Sequence, residues 1–187
     1  MKIKAGNLND YLQSTLENSN DHAQENPQLM HMIYRMDKLF HEEIFDHEFD
    51  VNPVAGFLVM NSYMMLLSAV RQALSGHTVS VFPIMRTALE SACYAFLAAH
   101  DEELCKVWLN RHKSKNALQK CREKFTAKKA ANQLKNLSPE MAEYVMAHYE
   151  ASIDFGAHPN QKSILNHLKD IVKVEEGFQG FELVGVY

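Results

Sequence analysis

Apolar residues recur every three to four positions along most of the chain, which is the spacing of a helix face rather than of a strand. A first short helix is predicted after Asn7, ending in the polar run from Glu17 to Gln28; its apolar positions are Leu8, Tyr11, Leu12 and Leu16. Asn26-Pro27 is typical of a helix start. The second helix is expected to reach about Phe49, with an apolar stripe of Leu29, Ile33, Met36, Phe40 and Ile44.

The next two predicted helices are apolar on nearly all sides, a pattern typical of helices enclosed by their neighbours. Asn52-Pro53 starts the third helix and Gly76 ends it. Its most apolar stretch is interrupted by polar residues and falls short of the ~20 residues that span a bilayer, so no membrane role is expected. The fourth helix is expected from Thr78 or Ser80 to His100. Because proline is tolerated best in a first turn, its N-cap is expected three or four residues before Pro83.

The sequence of the C-terminal half predicts further helices, after which the spacing of apolar residues changes from that of a helix to that of strands. Asp101 caps one segment, another helix is expected from Ala117 to Leu137, and Ser138-Pro139 opens a last helix that ends before Gly156. Residues 171–187 carry apolar residues on both sides of a glycine-containing turn, which predicts a β-hairpin. The expected fold is mainly α: a single domain over 1–187, a bundle of about six helices with a C-terminal hairpin.

Composition places the chain among ordinary globular domains. It has 187 residues, 47% of them hydrophobic and 22% charged, with few glycines and prolines. The three cysteines are an odd number without CxxC spacing, which favours reduced thiols in a cytosolic protein over a disulfide scaffold. The N-terminal sequence lacks the apolar core of a signal peptide, so we expect a cytoplasmic location.

The formal net charge of −4 hides a strong asymmetry between segments. Residues 1–50 have a net charge of −6, whereas residues 111–135 hold nine Lys/Arg and one acidic residue, a net charge of +8. Such a basic block is one sign of nucleic-acid contact. A regular apolar stripe through the block favours instead a solvated or interfacial helix. The acidic N-terminal helices are then available as neighbours or as partners in a homodimer.

Known catalytic and metal-binding motifs are missing from the sequence. HExxH, HxxxH, ExxH, GxSxG, GxxxxGK[ST] and GxGxxG do not occur. The richest histidine and acid cluster is residues 41–50, where Glu43 and His47 lie four apart and could share a metal ion. A solvated acidic helix end explains the same residues. We therefore expect neither a bound metal nor a cofactor.

One polar constellation stands out in the fourth helix. Arg86 and Glu90 are four residues apart, so guanidinium and carboxylate share a helix face in apolar surroundings. The late segment HYEASIDFGAHPN supplies possible partners. We interpret His158, Arg86, Glu90 and Asp154 as candidate catalytic residues, with His158 as acid or base and Asp154 fixing its tautomer. The candidate ligand-binding residues are Tyr94, Tyr149 and Ser152. The competing interpretation is a structural polar lock, in which these side chains only hydrogen-bond one another and stabilise the packing of the helices.

The segment VFPIMRTALESACYAFLAAHDEELCKVWLNRHKSK, with HYEASIDFGAHPN further along, resembles a widespread group of bacterial helical domains that are similar to HEPN bundles. The resemblance covers about residues 76–160 and implies nucleotide binding or RNA cleavage in a toxin or defence system. The HEPN ribonuclease signature, Arg followed by four to six residues and His, occurs at Arg35 to His41 and at Arg71 to His77. About one such match is expected by chance, so these two matches neither support nor exclude a HEPN-like ribonuclease.

Three functional hypotheses follow. The first is a helical domain that forms a homo-oligomer and binds a partner or small-molecule ligand around Arg86, Glu90 and His158. The second is a HEPN-like ribonuclease or nucleotide-binding protein whose basic block contacts nucleic acid. The third is a metal-dependent hydrolase, which requires three converging ligands from His41, Glu43, His47 or His148.

Overall fold

The structure, a computed structural model, describes residues 7–50, 52–157, 168–175 and 178–183. Its first two ranges form an all-α helical bundle, as the hydrophobic spacing predicts. The helices in chain order are α1 (Leu8–Glu25), α2 (Pro27–Phe40), α3 (Pro53–Leu74), α4 (Thr78–His100), α5 (Glu102–Leu109), α6 (Lys115–Lys124), α7 (Ala127–Leu134) and α8 (Pro139–Ser152). Two π-helical turns, His41–Phe45 and Ile153–Ala157, follow α2 and α8.

Eight α-helices in the described residues correct the expected number of about six. The largest difference is a break in the predicted helix from Ala117 to Leu137. Phe125 and Thr126 leave the helical conformation there, and the Thr126 side chain accepts the Lys129 backbone N–H as an N-cap. The extended backbone carries Phe125 into the core, where it is buried. No glycine or proline marks this break, and the cap is its only local signal.

The N-terminal helices also differ from expectation at their ends. Helix α1 continues through the polar run to Glu25, and Asn7 and Asp10 form a capping box at its start. Helix α2 ends at Phe40 rather than near Phe49, because the chain widens into a π-helical turn there. This turn places the rings of Phe40 and Phe45 against Tyr63. Tertiary packing of aromatic rings therefore determines where α2 ends.

Helix α4 extends from Thr78 to His100, which confirms the earlier of the two predicted starts and the predicted end. Its N-cap is His77, six residues before Pro83, so the expected distance of three or four residues is wrong. The backbone N–H and the side chain of Ser80 both donate to the carbonyl of His77 and stabilise the first turn. Gly76 ends the preceding turn with a φ of 88°, a conformation that favours glycine.

The core lies around α3 and α4, which pack along one another. The buried Ser62 hydroxyl donates to the Ala88 carbonyl at 2.9 Å and joins the two helices. Helices α5, α7 and α8 pack on α4, and α6 packs on α5. The buried core residues are Val54, Ala55, Leu58, Cys93, Ala95, Leu97, Ala98, Cys105, Cys121, Phe125, Ala127 and Ala130. By contrast, α1 buries no residue and α2 buries only Phe40.

Helix α3 is less enclosed than its composition predicts. Phe57, Met60 and Met64 form an exposed stripe, with 67%, 46% and 51% of their surface accessible. The N-terminal helices leave this stripe open, because α2 reaches α3 mainly near Tyr63. In the described residues α3 is also the one helix long and apolar enough to cross a membrane, and a third of its most apolar stretch is buried.

Two extended segments lie near the end of the chain, β1 (Leu168–Glu175) and β2 (Phe178–Leu183). Their backbones pair antiparallel, with Leu168 opposite Leu183 and Glu175 opposite Phe178. The register shifts twice along this pairing.

Candidate functional site

A polar cluster joins α4 to α8. The Nε–H of Arg86 donates to Oε1 of Glu90 at 3.0 Å, and an Nη2–H of the same guanidinium donates to the Tyr149 hydroxyl at 3.0 Å. The guanidinium carbon also lies 4.9 Å from the centre of the Tyr149 ring. The i,i+4 spacing on α4 produces the first contact, and the packing of α8 on α4 produces the second. We call Arg86, Glu90 and Tyr149 the α4–α8 cluster.

The α4–α8 cluster is partly accessible to solvent. The side chains of Arg86 and Glu90 are 25% and 29% exposed, so this ion pair is neither closed in the core nor fully hydrated. Burial lowers the pKa of Arg86, but the hydrogen bond and charge of Glu90 outweigh it and leave that pKa above its usual value. The guanidinium therefore stays charged. Two of its five N–H groups are used in the bonds to Glu90 and Tyr149.

Tyr94, one helical turn beyond Glu90, lies beside the cluster rather than in it. Its ring packs edge-on against Phe125 with the ring centres 5.3 Å apart. Burial, followed by the negative charge of Glu90, raises the pKa of Tyr94 to about 12. Its hydroxyl is therefore protonated at neutral pH, and in the described residues its clearest role is packing.

The remaining predicted site residues are placed differently. The Ser152 hydroxyl is buried and donates to the Tyr149 carbonyl at 2.6 Å, within its own helix. Asp154 is exposed on the π-helical turn after α8. His158, the predicted acid or base, lies outside the described residues. The structure thus brings Arg86, Glu90 and Tyr149 together and holds Ser152 one turn away in a local hydrogen bond.

A second polar cluster, absent from the sequence-based expectations, joins α2 to α3. The Tyr63 hydroxyl donates to Oδ1 of Asp37 at 2.6 Å, and Nε2 of His41 lies 3.2 Å from the same hydroxyl. The hydrogen bond to Asp37 raises the pKa of Tyr63, with burial adding to the effect. Asp37 and His41 are four apart, which the sequence shows. Tyr63 is 26 residues away from Asp37, and no local pattern indicates that contact.

His77, part of one HEPN-like signature match, connects α1 to the turn before α4. Its Nε2 lies 2.6 Å from the Tyr11 hydroxyl and its Nδ1 lies 2.9 Å from the Ser75 hydroxyl. Arg71 is exposed on the last turn of α3. Arg86 is nine residues beyond His77, a separation of about 13 Å along a regular helix, so His77 is separate from the α4–α8 cluster.

The basic block occupies α6, α7 and the residues beside them. All its lysines and arginines except Arg111 are exposed. A depression of about 250 Å³ lies between α5 and α6, lined by Glu103, Lys106, Val107, Asn110, Ala117 and Lys120. The predicted apolar stripe is present too, since Cys121 and Phe125 are buried. The block is thus amphipathic, with its charges in solvent.

The described residues contain no group of three His, Cys, Asp or Glu side chains that could hold a metal ion. His41 is instead engaged with Tyr63, and the ring of His148 packs on Tyr144 at 4.1 Å between centres. No protein-family model, no curated protein and no solved structure matches the chain.

Proposed function

We propose that this protein is a self-associating helical domain that binds a small polar ligand at the α4–α8 cluster. The observation that carries the proposal is a charged guanidinium, held by Glu90 and Tyr149 from two helices, that remains a quarter exposed. An arginine held in place loses little side-chain freedom when it binds.

The chemistry of the cluster favours a particular ligand class. The guanidinium N–H groups that make no hydrogen bond within the described residues can donate to an anionic group, whereas the Glu90 carboxylate can accept from an O–H or N–H donor. A ligand carrying both groups matches the pair, and one carrying only negative charge is repelled by Glu90. His158 and Asp154 belong to this proposal as candidate catalytic groups if the ligand is a substrate.

Inorganic phosphate and sulfate test the two requirements, an anionic group and a hydrogen-bond donor, separately. Both are anions, but phosphate at neutral pH keeps an O–H donor and sulfate has none. Titration of the isotope-labelled chain, followed by the amide and Arg86 Nε–H NMR signals, should show saturable shifts confined to α4 and α8. We expect a phosphate dissociation constant near 1 mM, about 4.1 kcal/mol of binding free energy, and weaker sulfate binding.

Arg86→Gln should abolish the saturable shifts, while Arg35→Gln, a matched change of an exposed arginine on α2, should leave them unchanged. Equal, non-saturating shifts with both salts would show that the α4–α8 cluster is a structural polar lock. The same result would leave self-association to be judged separately, by sedimentation.

A HEPN-like ribonuclease or nucleotide-binding function is the second candidate. The exposed lysines and arginines of α6 and α7 favour it, because phosphate backbones are bound by clustered cations. A fluorescent single-stranded RNA incubated with the chain distinguishes the candidates. Salt-dependent binding that is lost when Lys128 and Lys129 are changed to Gln supports nucleic-acid contact, and cleavage of that RNA supports the enzyme.

We also propose that β1 and β2 form a stable hairpin, as the sequence of residues 171–187 predicts. Their antiparallel register supports this proposal. Slow backbone amide exchange in both strands would establish the hairpin, and exchange at the rate of an unstructured peptide would exclude it.

A further inference from the structure

The polar cluster of Asp37, His41 and Tyr63 brings three side chains that can bind a metal ion close together; we call it the α2–α3 cluster. Oδ1 of Asp37 lies 2.6 Å from the Tyr63 hydroxyl oxygen, and Nε2 of His41 lies 3.2 Å from that oxygen. The distance from Nε2 to the same Oδ1 is 3.8 Å. One carboxylate oxygen, one imidazole nitrogen and one phenol oxygen therefore form a closed triangle.

The size of this triangle matches a metal coordination sphere. Its sides of 2.6, 3.2 and 3.8 Å define a circle of about 1.9 Å radius, so a point just above its plane lies about 2.0 to 2.1 Å from every corner. Histidine nitrogens and carboxylate oxygens bind metal ions at this distance. The three atoms can therefore bind one ion with little movement, once the proton between Tyr63 and Asp37 has left.

Local structure orients the donors. Asp37 and His41 are four residues apart, a spacing that places both on one face of the helical segment. His41 is also the first residue of the π-helical turn His41–Phe45, and such turns are frequent at functional sites. The Phe45 ring packs edge-on against the rings of His41 and Tyr63, with ring centres 5.4 and 5.2 Å apart. The turn thus holds the two aromatic donors in place.

The α2–α3 cluster is open to solvent and lies in an acidic segment. The side chains of Asp37 and His41 are 44% and 55% exposed. Residues 37–50 hold six acidic side chains and one lysine, a net charge of −5. Such a segment attracts cations. An incoming ion can reach the donors and keep further coordination positions for water, as in other sites with three protein ligands.

The third donor explains why the site is not evident from the sequence. The His, Cys, Asp and Glu side chains of the described residues form no metal-binding group by themselves. The α2–α3 cluster is completed by a phenol that lies 26 residues from Asp37 along the chain. It also differs from the Glu43 and His47 pair that the sequence suggests.

The phenol determines which ion suits the site. Its hydrogen bond to Asp37 raises the pKa of Tyr63, so the proton is displaced only by a cation that binds phenolate strongly. Small, highly charged ions bind such hard oxygen donors best, and iron also binds imidazole well. Phenolate is an established iron ligand in proteins. Ferric iron therefore matches the donor set.

We propose that the α2–α3 cluster is a ferric iron site in which Oδ1 of Asp37, Nε2 of His41 and the phenolate oxygen of Tyr63 bind one ion. On binding, an O–Fe bond replaces the O–H bond of Tyr63, the proton passes to solvent and the iron remains ferric. The bound ion joins α2 to α3. This site is separate from the α4–α8 cluster, and the inference goes beyond the proposed function.

Titration of the full chain with ferric citrate, followed by visible absorption, tests the proposal. Ferric phenolate complexes absorb visible light through charge transfer from the phenolate oxygen to iron. The wild type should develop a visible band that saturates at one iron per chain, and Tyr63→Phe should lose it. The matched control Tyr34→Phe changes an exposed tyrosine on α2 and should keep the band.

Two further variants test the other ligands without removing a buried ring. His41→Gln and Asp37→Asn change half-exposed side chains, and each should weaken iron binding at least about tenfold, because loss even of groups outside the ligand set costs that much in known sites. Circular dichroism melting verifies that each variant is folded. If Tyr63→Phe does not fold, the His41→Gln titration decides.

Every other outcome overturns the assignment. A wild type that shows no visible band in excess iron refutes the site. A band that persists in a folded Tyr63→Phe variant assigns the iron to another tyrosine, and an unchanged iron affinity in His41→Gln removes His41 from the ligand set; either result refutes the proposed site. Phosphate binding at Arg86 is measured separately and is unaffected by these results.

Discussion

At the scale of single residues, the three cysteines behave as core residues rather than as nucleophiles. Cys93, Cys105 and Cys121 are free and buried, as their apolar helical positions predict. Burial, followed by the charge of Glu90, raises the pKa of Cys93 to about 11. Because the thiolate is the reactive form, Cys93 is expected to be inert at neutral pH.

The stability of the protein at alkaline pH should depend on the ionisation of the Cys93 thiol. Its pKa is raised on folding, so between pH 9 and pH 11 the folded state keeps a proton that the unfolded state has lost. Stability should therefore fall as pH rises through this range, by up to about 1.4 kcal/mol per pH unit from this group. Urea unfolding at several pH values measures the slope, and Cys93→Ala should make it shallower. An identical slope in both proteins would contradict the account.

Tyr149 should contribute to stability through its hydroxyl. Tyr149→Phe removes the hydrogen bond from Arg86 while keeping the ring beside the guanidinium. The expected cost is about 1 kcal/mol of unfolding free energy. Tyr144→Phe on the same helix is the matched control, because Tyr144 is 62% exposed and lies outside the α4–α8 cluster. Equal effects of the two substitutions on urea unfolding would show that the contact is not stabilising.

At the scale of helices and turns, the strong sequence signals gave correct predictions and the weak ones did not. Asn52-Pro53, Gly76 and Ser138-Pro139 lie at the observed ends of α3 and α8. These residues act through backbone geometry, which is local. The break at Phe125 depends on burial of that ring, and the end of α2 depends on Tyr63, so neither is encoded in a short window.

The break between α6 and α7 should depend on the Thr126 cap. Thr126→Ala removes the side-chain acceptor of the Lys129 N–H and should cost about 1 kcal/mol. Thr87→Ala, at an exposed position inside α4, should change stability by less than about 0.5 kcal/mol. Thermal or urea unfolding compares the two. A Thr126→Ala protein as stable as the wild type would mean that packing of Phe125 alone holds the break.

At the scale of the whole molecule, the sequence predicts the helical class and part of the candidate site. Arg86 and Glu90 follow from helical spacing, and Tyr149 was a candidate only because its segment is rich in polar side chains. The contact between Asp37 and Tyr63 depends on tertiary packing. The orientation of α1 runs against the usual assumption that a leucine stripe faces the core, because its hydrogen bonds select the polar side.

The two N-terminal helices bury few residues, none in α1 and only Phe40 in α2. Their backbone amides should therefore exchange readily with solvent in the monomer. Association of two copies should slow that exchange, whereas α4, with six buried residues, should be protected at any concentration.

Hydrogen exchange of α1 at rising protein concentration tests this claim most directly. We predict that exchange of the amides from Leu8 to Leu16 slows at least about tenfold as the protein passes from monomer to dimer, while the exchange in α4 is unchanged. Exchange in α1 that is equally fast at every concentration would contradict the proposed self-association.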